Sequence, residues 1–116
     1  MTDKQALNVY TPDNWVVLRI DLPTEGILYK VLGGWSGGYL YGDSWRMNSG
    51  IESVERIGDY YAFHGFSGSL YECHVNGYGL RMNNSHIYTQ LSERYGEMIT
   101  LMDDTTEWEK IKYVSL

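Results

Sequence analysis

YKVLGGWSGG (residues 29–38) has a partner further along the chain, YYAFHGFSGS (residues 60–69), and this pair decides the fold that the sequence predicts. At an offset of 31 residues the two segments share a tyrosine at the first position and a glycine-aromatic-serine-glycine turn. The tripeptide Arg46-Met47-Asn48 recurs as Arg81-Met82-Asn83 at an offset of 35. Each copy has the order strand, glycine-rich turn, strand and Arg-Met-Asn. Because two copies are too few for a solenoid, we expect a pair of related β-hairpins.

Several segments around these turns have the composition of strands. NWVVLRIDL (14–22) is rich in β-branched and aromatic residues and is followed by proline, and GILYKVLGG (26–34) comes next. Residues 51–57 alternate weakly between apolar and polar side chains, and SLYECHV (69–75) follows the second glycine-rich turn. A meander of short strands such as this one favours an antiparallel sheet.

One helix is predicted, over about residues 85–95. The apolar residues of HIYTQLSERY (86–95) lie four positions apart and therefore on one helical face; they are Ile87, Leu91 and Tyr95. Asn84 or Ser85 is placed to cap the start of the helix, and Gly96 is placed to end it. We expect this apolar face to pack on the sheet.

The remaining segments complete an α+β fold. EMITLM (97–102) is predicted to return as a strand, and the tail from Thr105 onward fits either a short helix or an edge strand. The sequence therefore predicts an antiparallel sheet built from two related β-hairpins, with one principal helix packed on one face. A length of 116 residues predicts a single domain, residues 1–116.

Composition and charge narrow the possible functions. Hydrophobic residues make up 43% of the chain and aromatic residues 15%, with 11 tyrosines. The net charge of −6 argues against a duplex-DNA-binding protein, because such proteins neutralise phosphates with Lys and Arg. The single cysteine, Cys73, fits a reducing cytoplasm. No segment approaches the roughly 18 apolar residues of a membrane span, so we expect a soluble intracellular protein that contacts no membrane.

The motifs that usually carry catalysis are weak in this sequence. Residues 34–38 match G-x-S-x-G, but strand-like residues follow instead of the helix that a nucleophilic serine requires. The three histidines are scattered, and no C-x-x-C or H-x-x-x-H spacing occurs, so we predict no metal site. Neither a P-loop nor a dinucleotide fingerprint is present. We expect a protein with no enzymatic activity and no cofactor.

Rings, arginines and amides concentrate around the first hairpin and the two Arg-Met-Asn tripeptides. Aromatic faces stack on nucleobases, a role for the two tryptophans and a tyrosine of the hairpin. Arginine presents a planar fork to phosphate, backbone amides of a Ser-Gly turn receive anions, and asparagine reads base edges or ribose. The alternative is that the rings simply favour strands and the arginines pair with neighbouring carboxylates. The predicted ligand-binding residues are Trp35, Ser36, Gly37, Tyr39, Trp45, Arg46, Asn48, Arg81, Asn83 and Asn84.

YKVLGGWSGGYLYGDSWRMNSGI (29–51), together with YGLRMNNSHIYTQL (78–91), resembles small uncharacterised proteins of tailed bacteriophages. The resemblance covers roughly residues 14–104 and depends on the W-S-G-G, D-S-W-R and L-R-M-N-N stretches. It implies a phage protein located in the host cytoplasm, with no assigned activity and no known catalytic residues. Small non-enzymatic phage proteins are often anti-defence factors. One class of them, the viral nucleotide sponges, is similar to this chain in size and in lacking catalytic motifs.

Together these observations predict a homo-oligomeric anti-defence protein that binds a cyclic nucleotide used as an immune signal and sequesters it without cleaving it. Among cyclic nucleotides, a cyclic dinucleotide is the ligand that we expect first. Sites at subunit junctions would bury more of such a ligand than one small chain can. The main alternative is an acidic phage protein that inhibits a host defence protein by direct binding, with tyrosine and tryptophan as interface anchors. A structural component of the virion is a third possibility.

Overall fold

In the computed structural model, the described residues are 8–37 and 42–113, and they form eight strands, one α-helix and two short 3-10 helices. The strands are β1 (Asn8–Tyr10), β2 (Asn14–Leu22), β3 (Gly26–Trp35), β4 (Ser44–Met47), β5 (Ile51–Ile57), β6 (Tyr60–Gly65), β7 (Ser69–His74) and β8 (Ile99–Leu101). The helix α1 is Ser85–Tyr95, and the 3-10 helices are Gly96–Met98 and Trp108–Lys110. The strands predicted over residues 14–22, 26–34, 51–57 and 69–75 are therefore present within one residue at each end.

The strands make two four-stranded sheets, where the sequence predicted one. Sheet I has the strand order β1-β7-β6-β5, and sheet II has the order β4-β3-β2-β8. The strands pair antiparallel except β1 and β7, which are parallel. The α+β class with antiparallel pairing is confirmed. The two glycine-rich hairpins, however, lie in different sheets, β3–β4 in sheet II and β6–β7 in sheet I.

Strand β2 explains why a second sheet is needed. Its first five residues are all buried, and alternate side chains of a strand point to opposite faces. Trp15 and Val17 enter a core between the sheets, whereas Val16 and Leu18 enter a second core beneath the helix. A strand that is apolar on both faces requires a layer on each side, so the order of layers is α1, sheet II, sheet I. The other buried residues of the core between the sheets are Val31, Ile51, Phe63, Tyr71, Cys73, Trp108 and Tyr113.

Helix α1 has the predicted bounds and packs on sheet II through Ile87 and Leu91. Gly96 ends it with φ of 56° and donates its N–H to the carbonyl of Ser92, as the sequence suggests. Asn84 holds the N-cap position, but its side chain turns toward the sheet instead of capping the helix. Within the described ranges, no helix has the length and apolar character that crossing a membrane would require.

The two hairpins turn in different ways. Three residues, 66–68, join β6 to β7, and Gly68 among them has φ of 96°. Residues 36–43 join β3 to β4, and 38–41 lie outside the described residues. Among the described residues of this connection, Gly42 has a positive φ, 67°, and Gly37 does not. Gly37 is needed for space, because a Cβ there would lie 1.6 Å from the carbonyl oxygen of Gly42.

Candidate functional site

A shallow depression beside β4 brings together part of the predicted site. Its lining residues are Tyr10, Trp35, Ser44, Trp45 and Arg46, and its volume is about 370 Å³. β4 pairs with the end of β3 and forms one edge of sheet II, and Tyr10 is contributed by β1 of sheet I. Trp35, Trp45 and Arg46, three predicted residues of the first hairpin, therefore line one depression. Because Trp45 and Arg46 are consecutive in β4, their side chains point to opposite faces of this edge strand. We call this depression, defined by these five residues, the β4 depression.

The segment between β1 and β2 holds Trp35 in place. The indole Nε1 of Trp35 donates a hydrogen bond to the carbonyl oxygen of Thr11 over 3.1 Å. The next residue, Ser36, donates its backbone N–H to the carboxylate of Asp13 over 2.8 Å. The backbone N–H of Ser36, which we expected to bind an anionic ligand, therefore already donates to a carboxylate of the protein. Trp35 is consequently a fixed wall of the depression, and Ser36 is part of its support.

The guanidinium of Arg46 lies over an aromatic ring. Its Cζ atom is 4.6 Å from the centroid of the Tyr10 ring, within the range of a cation–π interaction. Tyr10 meets Trp35 edge-on, with 6.3 Å between ring centroids and 71° between ring planes. Among the described residues, no carboxylate forms an ion pair with Arg46. The ring therefore orients the arginine without neutralising it.

The charge of Arg46 also acts on Tyr71, a buried residue behind Tyr10. Tyr71 is buried, and its ring centroid is 5.1 Å from that of Tyr10. Burial raises the pKa of Tyr71 to about 12, while the positive charge of Arg46 acts in the opposite direction by favouring the phenolate. The positive charge of Arg46 therefore reaches Tyr71 on a protein whose net charge is −6.

Trp45 supplies the most accessible ring of the β4 depression. It is 44% exposed, and its cross-strand partner on β3 is Gly34, which has no side chain to cover it. A large exposed indole in the lining of the same depression as an exposed arginine differs from the situation in which aromatic rings fill a core.

The three predicted asparagines lie elsewhere. Asn48, Asn83 and Asn84 are all buried, so none of them lines the β4 depression. The Oδ1 atom of Asn48 accepts a hydrogen bond from the backbone N–H of Val31 over 2.9 Å. The role that we assigned to these amides, reading a base edge, requires a surface position that they do not have. We therefore leave them out of the candidate site.

Asn83 and Asn84 belong to a buried network centred on Asn14. The Nδ2 atom of Asn83 donates to Oδ1 of Asn14 over 2.7 Å, and Nδ2 of Asn14 lies 3.0 Å from Oδ1 of Asn83. Asn84 accepts from Asn14 and from the backbone N–H of Arg81, and donates to the carbonyl oxygen of Leu32. The network ties the turn before α1 to sheet II.

The remaining predicted residues are placed as follows. Arg81 is exposed in the turn before α1 and does not line the β4 depression. Gly37 packs against Gly42, and Tyr39 lies outside the described residues. The structure thus separates the two arginines that the tripeptide repeat suggested as a pair.

Sequence reasoning missed Tyr10 and Ser44 as lining residues. Tyr10 belongs to a three-residue strand whose partner, β7, is about sixty residues away, and nothing local in the sequence points to that pairing. Ser44 precedes Trp45 in the quoted D-S-W-R stretch, so its neighbourhood could have been inferred from that motif. Among the described residues, no group of three or more His, Cys, Asp and Glu side chains is placed to hold a metal ion.

Comparison of the chain with protein-family models, with curated proteins and with solved structures finds no match. The resemblance to phage proteins therefore stays a prediction, and the function is argued from the site alone.

Proposed function

We propose that this protein binds a nucleotide at the β4 depression and holds it without cleaving it. The observation that carries the proposal is the arrangement of Arg46, whose guanidinium is oriented by the Tyr10 ring in a depression that Trp35 and Trp45 also line. A nucleotide combines a flat base with an anionic phosphate, which are the two chemical groups that this arrangement complements.

The base would stack on Trp45. Stacking of a nucleobase on an aromatic side chain contributes about 1–3 kcal/mol per base, and the indole of Trp45 is 44% exposed. Trp35 is fixed by its hydrogen bond to Thr11 and would form the side wall. A rigid wall lowers the entropic cost of binding, because few side-chain rotamers have to be immobilised.

The phosphate would bind Arg46. A guanidinium makes two parallel hydrogen bonds to phosphate, and the Tyr10 ring leaves its edge free to do so. The lining residues that the structure describes include neither a carboxylate nor an imidazole. This composition supports binding without hydrolysis, since a general base is the usual requirement for activating water.

The position of the depression supports a ligand with two bases shared between two copies of the protein. β4 has a partner on one side only among the described strands, so the site lies at the open edge of sheet II. A volume of about 370 Å³ is at the lower end of the range for ligand sites, and a second copy would cover the exposed side of the ligand. In the phage setting that the resemblance implies, this activity would remove a cyclic dinucleotide immune signal.

Calorimetric titration with a panel of cyclic mononucleotides and cyclic dinucleotides tests the proposal. Arg46→Met should weaken binding at least ten-fold, whereas Arg81→Met, which removes an exposed arginine elsewhere, should leave it unchanged. Trp45→Ala should weaken binding about five-fold or more, and the matched control is Phe66→Ala, because Phe66 is also exposed, at 49%. The ligand should be recovered intact after heating the complex. Absence of binding to every member of the panel would contradict the proposal.

The outer face of sheet I favours a second candidate function, direct binding to a basic protein. In register across the sheet, Ala62 has Glu55 on one side and Glu72 on the other, and all three point away from sheet II. The exposed apolar residues Val9 and Ile57 lie at the two edges of the same face. Acidic and apolar groups together suit a partner with a basic groove. Stoichiometric capture of a host protein, lost in a Glu55→Lys, Glu72→Lys variant, would favour this function over nucleotide binding.

A further inference from the structure

The helix is too short to cover the sheet on which it packs. An α-helix of 11 residues is about 16 Å long, whereas the nine and ten residues of β2 and β3 extend for about 30 Å. α1 packs over the half of the hairpin that contains Val16, Leu18 and Leu32. The other half of the same face extends beyond the last turn of the helix.

A pocket of about 220 Å³ lies at the end of α1, where the helix no longer covers sheet II. Its floor is the uncovered half of the hairpin, and its walls come from the end of α1, from β4 and from the start of β8. Its lining residues are Ile20, Leu22, Leu28, Lys30, Met47, Leu91, Tyr95 and Ile99. Seven of these eight side chains are apolar or aromatic. None of them belongs to the β4 depression, so the pocket is a separate site.

Lys30 is the single charged residue among the described residues that line this pocket. It lies between Leu28 and Leu32 on β3, on the face of the sheet that carries the helix, and is half-buried. No ion pair joins it to a described carboxylate. An ammonium at the rim of an apolar pocket, without an internal counter-ion, complements an anion that carries a hydrocarbon body.

We propose that this pocket binds a straight-chain monocarboxylate, with its hydrocarbon chain on Ile20, Leu22 and Leu28 and its carboxylate at Lys30. The chain would bury apolar surface that α1 leaves exposed, and the head group would supply the counter-ion that Lys30 lacks. The small volume favours short and medium chains over long ones. This inference is independent of the nucleotide site.

Titration of the protein with carboxylates from butanoate to decanoate, observed through the methyl NMR signals of Ile20 and Leu91, tests it. Affinity should rise about three- to four-fold for each added methylene until the pocket is full, and then level off. The matched 1-alkanols should bind at least five-fold more weakly than the carboxylates, because they cannot pair with the ammonium.

Substitutions at Lys30 test the contribution of its charge separately from the contribution of the apolar pocket. Lys30→Met keeps the aliphatic stem, so it should abolish the preference for carboxylate over alkanol while alkanol binding persists, and Lys30→Arg should retain the preference. Lys112→Met and Trp45→Ala change exposed side chains outside the pocket and should alter neither. Equal affinity for carboxylates and alkanols in the unaltered protein, or no dependence on chain length, would overturn the proposal. Methyl shifts that follow protein concentration instead of ligand would identify a second copy as the occupant and would also overturn it.

Discussion

The two Arg-Met-Asn tripeptides have the same sequence and different structures. Arg46 and Met47 lie on β4, and Met47 packs beneath the helix. Arg81 and Met82 lie in the turn before α1, where Met82 is 85% exposed. In both copies, however, the asparagine that follows is buried and hydrogen-bonded. The repeated feature is therefore a buried amide that fastens a chain segment to sheet II, and not a pair of half-sites for one ligand.

A repeated motif indicates a shared structural role only at the residue whose environment is the same in both copies. The asparagines share burial and hydrogen bonding to polar groups of the protein, whereas the arginines share only exposure. The first arginine lies in an aromatic depression because β1 brings Tyr10 to it, and this contact has no counterpart in the repeat. The proposed site at the first copy thus depends on a pairing between β1 and β7 that lies outside both copies.

The largest difference is expected at the aligned glycines of the two hairpins. A Cβ on Gly34 would lie 2.0 Å from Oδ1 of Asn83, which is buried and cannot move aside. A Cβ on Gly65 would lie 3.4 Å from its nearest neighbour, an ordinary contact. Gly34→Ala should therefore cost about 3–5 kcal/mol of unfolding free energy through overpacking and broken hydrogen bonds, and Gly65→Ala less than about 1 kcal/mol. Urea unfolding measures both, and equal losses would show that the network is not rigid.

The next difference concerns the two asparagines themselves. Asn83→Ala leaves the fully buried Asn14 without two of its hydrogen bonds, and we expect a loss of about 2–4 kcal/mol. Asn48→Ala frees one backbone N–H of Val31 but also removes a buried Nδ2 atom that has no partner, so about 1–2 kcal/mol is expected. Urea denaturation of the two variants gives the ranking. A larger loss for Asn48→Ala would mean that the first tripeptide is the more important anchor.

Much of the fold follows from local sequence, and the site does not. The limits of β2 and α1 follow from apolar patterning and from Pro23 and Gly96, which act on neighbouring residues. Whether the hairpins share a sheet depends on which strands meet over long separations, and the sequence contains no local signal for that choice. The same holds for the site: Trp45 and Arg46 were predicted to bind ligand, but the burial of the asparagines and the approach of Tyr10 are consequences of tertiary packing.

Alkaline pH probes Tyr71 of the second hairpin, whose ring is next to Tyr10, the ring beneath Arg46. Burial raises the pKa of Tyr71 from its ordinary value of 10.0 to about 12, so the folded state holds this proton more tightly than the unfolded state does. The contribution of this group to stability should therefore be constant up to about pH 10 and fall by about 1.4 kcal/mol per pH unit between 10 and 12. Tyr78, with its pKa also raised to about 12 by burial, adds a similar slope. Urea unfolding at several pH values measures the decline, and Tyr71→Phe should remove its own share of it.

A smaller difference is expected at the two methionines. Met47 is half-buried and packs with the core beneath the helix, so Met47→Ala should cost about 1–2 kcal/mol. Met82 is almost entirely exposed, and Met82→Ala should change stability by less than about 0.5 kcal/mol. Thermal unfolding of both variants decides the matter. A substantial loss from Met82→Ala would indicate that a second copy of the chain covers this residue in solution.

The smallest difference is expected at the arginines, and it bears most directly on function. Arg46→Met removes the cation–π interaction with Tyr10, which contributes about 0.5–1 kcal/mol at an exposed position. Arg81→Met removes no contact of that kind, so a change within about 0.5 kcal/mol is expected. Urea titrations of both variants, repeated at high salt, separate an oriented arginine from a freely solvated one. If the two substitutions have the same effect on stability and both leave nucleotide binding intact, then Arg46 is an ordinary surface arginine. The β4 depression would in that case lack the oriented charge on which the proposed function depends.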